Sequence, residues 1–322
     1  MKESLRLITT KMIEKISGWT HKNFGVIKIF FLLIVFALLL GFLISNLNVT
    51  IDTLAKIKII PLLVSLIVLP LFPIGNTIIW AYITRLNRIE MPFRKLLVLK
   101  IYSDLGKYLP GRLWGYGFLM SYYSKDGKSN TFVAYSAFLE QALSTLSICI
   151  ILVSSILFLP AEEFNEITYL SCVLLIILLF VITPKIFEYL ANKMLGWIGR
   201  NRIKVTLNYL QLLKITMFYI INWFFFALAF MFFLTSFGID VKSNLPYLIV
   251  SISFSSIAGL IAVFAPGGIG VREGALAFTL NRIMALEIAS TIAISSRIWV
   301  TVSELVILLI VFIYDKSKKI LD

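Results

Sequence analysis

Ala265-Pro266-Gly267-Gly268-Ile269-Gly270-Val271-Arg272-Glu273 cuts an apolar run short and follows it at once with two opposite charges. Pro removes a backbone donor and Gly removes steric restraint, so a helix stops and turns there. A break of the same kind, Leu109-Pro110-Gly111-Arg112, lies 156 positions earlier in this 322-residue chain, close to half its length away. Irregular backbone at membrane depth survives only where protein or a watery cavity satisfies its N–H and C=O groups. Two such breaks in corresponding halves are the strongest sequence pointer to a binding site between two repeats.

The chain around these breaks is built for a bilayer. It is 59% hydrophobic and 14% aromatic, with mean hydropathy +0.93. Windows such as 27–44 and 215–237 reach or approach the roughly 20 apolar residues that a spanning helix needs. Connectors are short throughout, so a single transmembrane domain over 1–322 is expected, with repeat 1 at about 24–160 and repeat 2 at about 165–315. The net charge of +13 sits in clusters between apolar runs, which is topology-setting charge and not a nucleic-acid surface. Cys149, Cys172 and the single His21 exclude a disulfide framework and a Cys or His metal centre. No nucleotide-binding loop, Ser-His-Asp set or HExxH helix occurs, so no cofactor, no metal and no catalytic residue is expected. Six basic residues precede the first apolar run, which ends without a small-x-small cleavage site, so it reads as a retained span.

Charge clusters order the spans. Lys2, Arg6, Lys11, Lys15, Lys22 and Lys28 place the N-terminus in the cytoplasm before span 1, about 27–45. The weakly charged connector 45–58 lies outside, and span 2, about 59–83, bends near Pro70 and Pro73 on its way back to Arg85, Arg88, Arg94 and Lys95. Residues 96–109 and 112–123 flank the first break and return to basic Lys125 and Lys128. Each arm, at about 18–21 Å of helical rise, reaches mid-bilayer and no further, so the pair reads as a re-entrant hairpin. Span 3, about 130–159, leads to acidic Glu162, Glu163 and Glu166; span 4, about 167–183, returns to Lys185, Lys193, Arg200, Arg202 and Lys204. Span 5, about 214–237, a second hairpin of 246–265 and 269–281, and span 6, about 288–314, complete the chain, which ends at cytoplasmic Lys316, Lys318 and Lys319. The fold class is therefore an all-α polytopic membrane protein: about six full spans plus two re-entrant helical hairpins. Three spans per half is odd, so the halves form an inverted-topology repeat with both termini cytoplasmic.

Five ionisable residues fall inside these segments: Glu140, Arg272, Glu273, Arg297 and Glu304. Each costs about 2.5–3.5 kcal/mol if it faces lipid at the centre of the bilayer, so they face one another, a cavity or a ligand. Glu140 follows Pro110 by 30 residues and Arg297 follows Pro266 by 31, near-equivalent places with opposite signs. Arg297 and Glu304 lie two helical turns apart on one face. Arg272 and Glu273 open a half-helix whose free N–H groups and dipole attract an anion such as phosphate. On the first hairpin Lys100, Asp104, Lys107 and Gly111 share a face, with Arg112 just past the turn. Two readings stand side by side: ion pairs that lock the halves together, or a path for substrate or protons. Lys100 and Lys107 also read as candidates for snorkelling to the inner head groups. Ser251, Ser253, Ser255 and Ser256 read as helix packing or a polar path, and Phe224–Phe226 as core or lipid-facing bulk.

The run 265–273, with Lys107-Tyr108-Leu109-Pro110-Gly111, Glu140 and Arg297, resembles the signature of the flippase-like family that includes the lysylphosphatidylglycerol synthase transmembrane region. The likeness covers nearly the whole chain. It implies movement of a lipid with a charged or sugar-phosphate head group between leaflets, either an aminoacylated phospholipid or a polyprenyl-phosphate-linked sugar. Membrane lipids are the partners it implies, with glycan- or lipid-modifying enzymes as neighbours, in the cytoplasmic (inner) membrane. The substrate-binding set it suggests is Arg272, Glu273, Arg297, Glu140, Glu304, Gly267, Gly268, Pro266, Pro110, Gly111, Lys107 and Arg112. This chain lacks the soluble aminoacyl-transfer domain, and bulky Arg112, Leu113 and Trp114 follow its first break where small residues are more usual. The alternative is a membrane enzyme acting on a lipid-linked substrate, with Glu140 or Glu273 as general base, or an accessory subunit in lipid-linked glycan assembly.

Overall fold

The computed structural model describes residues 41, 44, 45, 47–108, 114–160, 165–181, 183–197, 200–204, 207–262 and 265–321. Span 1 lies almost wholly outside the described residues, as do Pro110, Gly111 and Arg112. Every regular element among the described residues is helical. In chain order these are α1 (Leu47–Ala55), α2 (Ile59–Val68), α3 (Leu71–Leu86), α4 (Phe93–Asp104), α5 (Trp114–Lys125), α6 (Asn130–Ile156), α7 (Asn165–Val181), α8 (Pro184–Trp197), α9 (Tyr209–Ser236), α10 (Leu245–Ile261), α11 (Val271–Leu280) and α12 (Leu286–Lys318). Two 3-10 turns mark the breaks: Leu105–Tyr108, tip 1, and Pro266–Gly268, tip 2.

Four of these stretches are long and apolar enough to cross a membrane: Ile59–Leu86, Asn130–Ile156, Tyr209–Ser236 and Leu286–Lys318. They match expected spans 2, 3, 5 and 6. Pro70 sits at the N-cap of α3 and Pro73 in its first turn, where a missing N–H costs little, so span 2 is interrupted and then resumes. Expected span 4 corresponds to α7, 17 residues long. Beyond it the chain bends by 87° into α8, a helix in a basic stretch read as a connector. The connector expected on the outside likewise contains a helix, α1. Both helices are amphipathic stretches beside long apolar runs, which the eye reads as linkers.

The two short-armed hairpins are present: α4–tip 1–α5 and α10–tip 2–α11. Their neighbours are exchanged. The second arm of each packs on the next long helix of its own half, α5 on α6 and α11 on α12. The first arm of each packs on the long helix of the other half, α4 on α12 and α10 on α6. Helix α9 lies against both α2 and α3, and tip 1 touches tip 2.

Aromatic packing fixes this frame. Trp299 of α12 stacks on Phe233 of α9 at 4.8 Å, and its indole N–H donates to Ser65 Oγ of α2 at 2.9 Å. Asn222 of α9 donates to the Phe72 carbonyl at 3.1 Å and to Asn76 Oδ1 at 2.8 Å. Gly75 lets the amide approach so closely that any Cβ there would overlap Asn222 Oδ1. Without a hydrophobic effect between helices in lipid, contacts of this kind decide which helices associate.

Candidate functional site at the hairpin tips

Both hairpins close by backbone-to-backbone contact between their arms. Gly106 lies on the backbone of Gly115, and Gly115 on the Ser103 carbonyl, with no room for a Cβ at either. In the second hairpin a Cβ on Gly268 would sit 2.9 Å from Gly259 Cα and 2.9 Å from its carbonyl oxygen. Gly267, Gly268 and Gly270 have φ of 60°, 70° and 86°, left-handed values that only glycine adopts without strain. The Pro-Gly-Gly-Ile-Gly run is thus a backbone requirement as well as a helix stop.

The tips meet over a cluster of charge. Lys107 Nζ pairs with Glu304 Oε1 of α12 at 2.5 Å, and the Tyr108 hydroxyl donates to Glu304 Oε2 at 2.6 Å. Arg297, two turns earlier on the same face of α12, donates from Nη1 to the Gly267 carbonyl at 3.0 Å. Its guanidinium lies 5.5 Å from the Tyr108 ring centre and 4.0 Å from Glu273 Oε1. A Cβ on Gly267 would come within 2.6 Å of Arg297 Nη2, so this glycine makes room for the arginine. That Nη2 is buried and has no hydrogen-bond partner among the described residues. Buried donors are nearly always satisfied, so an orphan here marks a place for a further acceptor.

Glu273 Oε2 accepts the Gly270 N–H at 2.6 Å, so the carboxylate caps its own helix. Part of the donor set expected for an outside anion is therefore already used. Arg272 packs over the Phe226 ring at 5.6 Å and its stem lies on Gly259, while Arg297, Glu273 and Glu304 lie within electrostatic reach. Its side chain forms no hydrogen bond or ion pair among the described residues. Asp104, one turn before Lys107, feels Lys100, Lys107 and Glu304 and likewise has no ion pair there.

Glu140 stands apart from this cluster. Lys100 Nζ donates to both its oxygens, at 2.9 and 3.1 Å, and Tyr116 donates to Oε2 at 3.3 Å. The ammonium is also 4.7 Å from the centre of the Trp80 ring, whose N–H bonds to Tyr123. The pair is almost fully buried, with side chains 5% and 10% exposed. The snorkelling reading of the lysines is corrected here: Lys100 and Lys107 both turn inward to glutamates. Within the charged cluster, Lys107 and Tyr108, through Glu304, and Arg297, over Tyr108, tie one half to the other; Lys100–Glu140 stays inside the first half. Ser251, Ser255 and Ser256 bond to carbonyls of their own helix, which is the packing role.

Tyr116, Trp80, Gly115 and Gly259 complete the site without any sequence signal beyond an aromatic or a lone glycine in an apolar run. Among the described residues no group of His, Cys, Asp and Glu is arranged to hold a metal ion. A family model described as lysylphosphatidylglycerol synthase TM region matches residues 25–310. No curated protein and no solved structure matches the chain.

Proposed function

The chain belongs to the lysylphosphatidylglycerol synthase TM region family, and from that premise we propose that it is a lipid translocase and not an enzyme. In this reading it moves a lipid with a charged or sugar-phosphate head group between the leaflets of a cytoplasmic membrane. The cargo is an aminoacylated phospholipid or a polyprenyl-phosphate-linked sugar, and enzymes of lipid or glycan modification are its neighbours. The observation that carries the reading is the meeting of the two interrupted hairpins over Arg297, whose buried Nη2 has no hydrogen-bond partner among the described residues.

The exchanged packing of the hairpins supports an inverted-topology repeat, because a two-fold axis in the membrane plane converts α4 on α12 into α10 on α6. Lys316, Lys318 and Lys319 at the end of α12 favour a cytoplasmic C-terminus, and three spans in each half, as expected from the sequence, would put the N-terminus on the same side. Arg272 and Arg297 would face the anionic part of the head group. Glu304 and Glu273 would balance them or take an amine. Lys100–Glu140 would hold the first hairpin rigid on α6. Rocking of one half against the other would break and remake the contacts at Glu304 and expose the cluster to each leaflet in turn. Tails would remain in lipid.

The test is translocation in proteoliposomes. Purified protein is reconstituted with lipids labelled on anionic, zwitterionic and sugar-phosphate head groups, and the label reachable by a membrane-impermeant quencher is followed. Translocation of at least one class above protein-free vesicles is expected. No class moving, with protein shown to be folded and inserted, overturns the reading.

A further inference from the structure

A groove of about 450 Å³ lies between the first hairpin and α12, lined by Tyr102, Leu105, Leu305, Leu308, Leu309 and Phe312. Leu305, Leu308, Leu309 and Phe312 follow the i, i+3, i+4, i+7 pattern, one stripe of α12. Leu105, Leu305, Leu309 and Phe312 are 40%, 58%, 59% and 49% exposed, so the stripe is open to its surroundings. At one end the Tyr102 hydroxyl donates to Asp315 Oδ2 at 3.0 Å, next to Lys316. At the other end stand Lys107 and Glu304, with side chains 36% and 25% exposed. A charge left facing hydrocarbon is costly, so this end calls for polar company. Asp315 lies eleven positions after Glu304, about 16 Å of helix or half the roughly 30 Å hydrocarbon thickness.

An open apolar track one leaflet long, with a partly exposed ion pair at one end, fits an amphiphile. We propose that this groove seats one hydrocarbon chain of the translocated lipid, with its head-group end at Lys107 and Glu304 and its terminus towards Phe312 and Tyr102. The proposal rests on the translocase reading and adds where the lipid enters: laterally, between α4 and α12. Leu105 and Leu305 then form the sill between the lipid phase and the charged cluster. The chain comes from hydrocarbon and not from water, so its gain is packing contact alone. Occupancy over ordinary boundary lipid is accordingly modest, about three- to tenfold.

The experiment uses the full chain in phosphatidylglycerol-containing vesicles. They carry traces of phospholipids with a photoactivatable diazirine either near the glycerol or at the chain terminus. Adducts are mapped by mass spectrometry and compared with the exposed face of α9, at Leu213, Ile221 and Phe224. The expected result is three- to tenfold enrichment in the groove, with the glycerol-proximal probe marking Leu105 and Leu305 and the terminal probe marking Phe312 and Tyr102. Leu309→Trp should abolish the enrichment and slow translocation, whereas Phe224→Trp should do neither. Adduct frequencies equal to those on α9 overturn the proposal. So does the reverse probe order, which is that of a resident inner-leaflet lipid. Unchanged translocation in Leu309→Trp overturns it as well, as does a Leu309→Cys variant that crosslinks mainly to a second copy of the chain. Labelling needs no transport, so a wild type that labels as expected but moves no lipid refutes the translocase reading and not the seat.

Discussion

Removing one member of the Lys100–Glu140 pair separates rigid support from a role in the moving cluster. The pair has two short charge-assisted contacts, 2.9 and 3.1 Å, an aromatic ring 4.7 Å from the ammonium, and side chains that are 5% and 10% exposed. Deleting one partner of such a pair leaves the other buried and uncompensated, which costs about 3–5 kcal/mol. Replacing both with apolar residues of similar size removes two desolvation penalties along with the attraction and is often close to neutral. Glu140→Gln should therefore destabilise the protein by about 3–5 kcal/mol, eased slightly by the Tyr116 hydroxyl, which can still bond the amide. Lys100→Met should cost a comparable amount, and the double variant Lys100→Met/Glu140→Gln about 1–2 kcal/mol, because an unpaired amide is cheaper to bury than an unpaired charge. The measurement is reversible unfolding in mixed detergent micelles, taken as a double-mutant cycle. A coupling of several kcal/mol is expected. Additive single effects, or a loss below about 1 kcal/mol in Glu140→Gln, would show that the pair is as weak as a surface ion pair. The support role would then be wrong.

Three further outcomes follow from the same geometry. Arg297→Lys keeps the charge but cannot both donate to the Gly267 carbonyl and lie over Tyr108, so head-group translocation should fall about tenfold in vesicles while the protein level is unchanged. Gly268→Ala forces an L residue to φ 70° and drives its Cβ against Gly259 backbone, so the loss of stability should exceed the 1–2 kcal/mol of the left-handed conformation alone; Gly117→Ala, with open space around it, should be neutral or slightly stabilising by thermal unfolding. Glu304→Gln breaks a pair that joins the halves and leaves Lys107 without its carboxylate at membrane depth, so stability should fall by up to about 2.5–3.5 kcal/mol while the translocation rate shifts in either direction; an unchanged rate would place Glu304 outside the moving contact.

How far the sequence foretold this site depends on what each residue needed. The hairpins were legible because Pro and Gly act locally: their backbone consequence does not depend on a neighbour. Long spans were legible because about 20 apolar residues have one common use. Partnership was not. Glu140 and Arg297 hold matching places after their breaks, yet Glu140 turns to Lys100 in its own half while Arg297 reaches the Gly267 carbonyl and lies over Tyr108 of the other half. Lys107 had two uses, the inner head groups or Glu304, and only the tilt of α4 against α12 chooses between them. Gly115 and Gly259 look like ordinary small residues in apolar helices until a second backbone is brought against them.

The distribution of sign across the three elements at the tips has a consequence for transport. Among the described residues the first hairpin brings Asp104 and Lys107, the second brings Arg272 and Glu273, and α12 brings Arg297 and Glu304. The second hairpin and this stretch of α12 thus each carry one charge of either sign, whereas the first hairpin also carries Lys100, which Glu140 of α6 balances, and by sequence Arg112 in its turn. An element that moves as a neutral body does no work against the membrane potential, whereas one uncompensated charge crossing it would contribute about 2.3 kcal/mol per 100 mV. Movement of the second hairpin about α12 is therefore nearly indifferent to voltage, whereas movement of the first carries the charge of Arg112 with it. With the second hairpin as the moving body, a potential imposed across the vesicle membrane acts on the head group alone, so the voltage dependence of the rate reads the net charge of the cargo. A zwitterionic head group should move at a rate independent of the potential. An anionic one should be slowed or accelerated according to direction, by an amount set by its charge and by the fraction of the field it crosses before reaching Arg297.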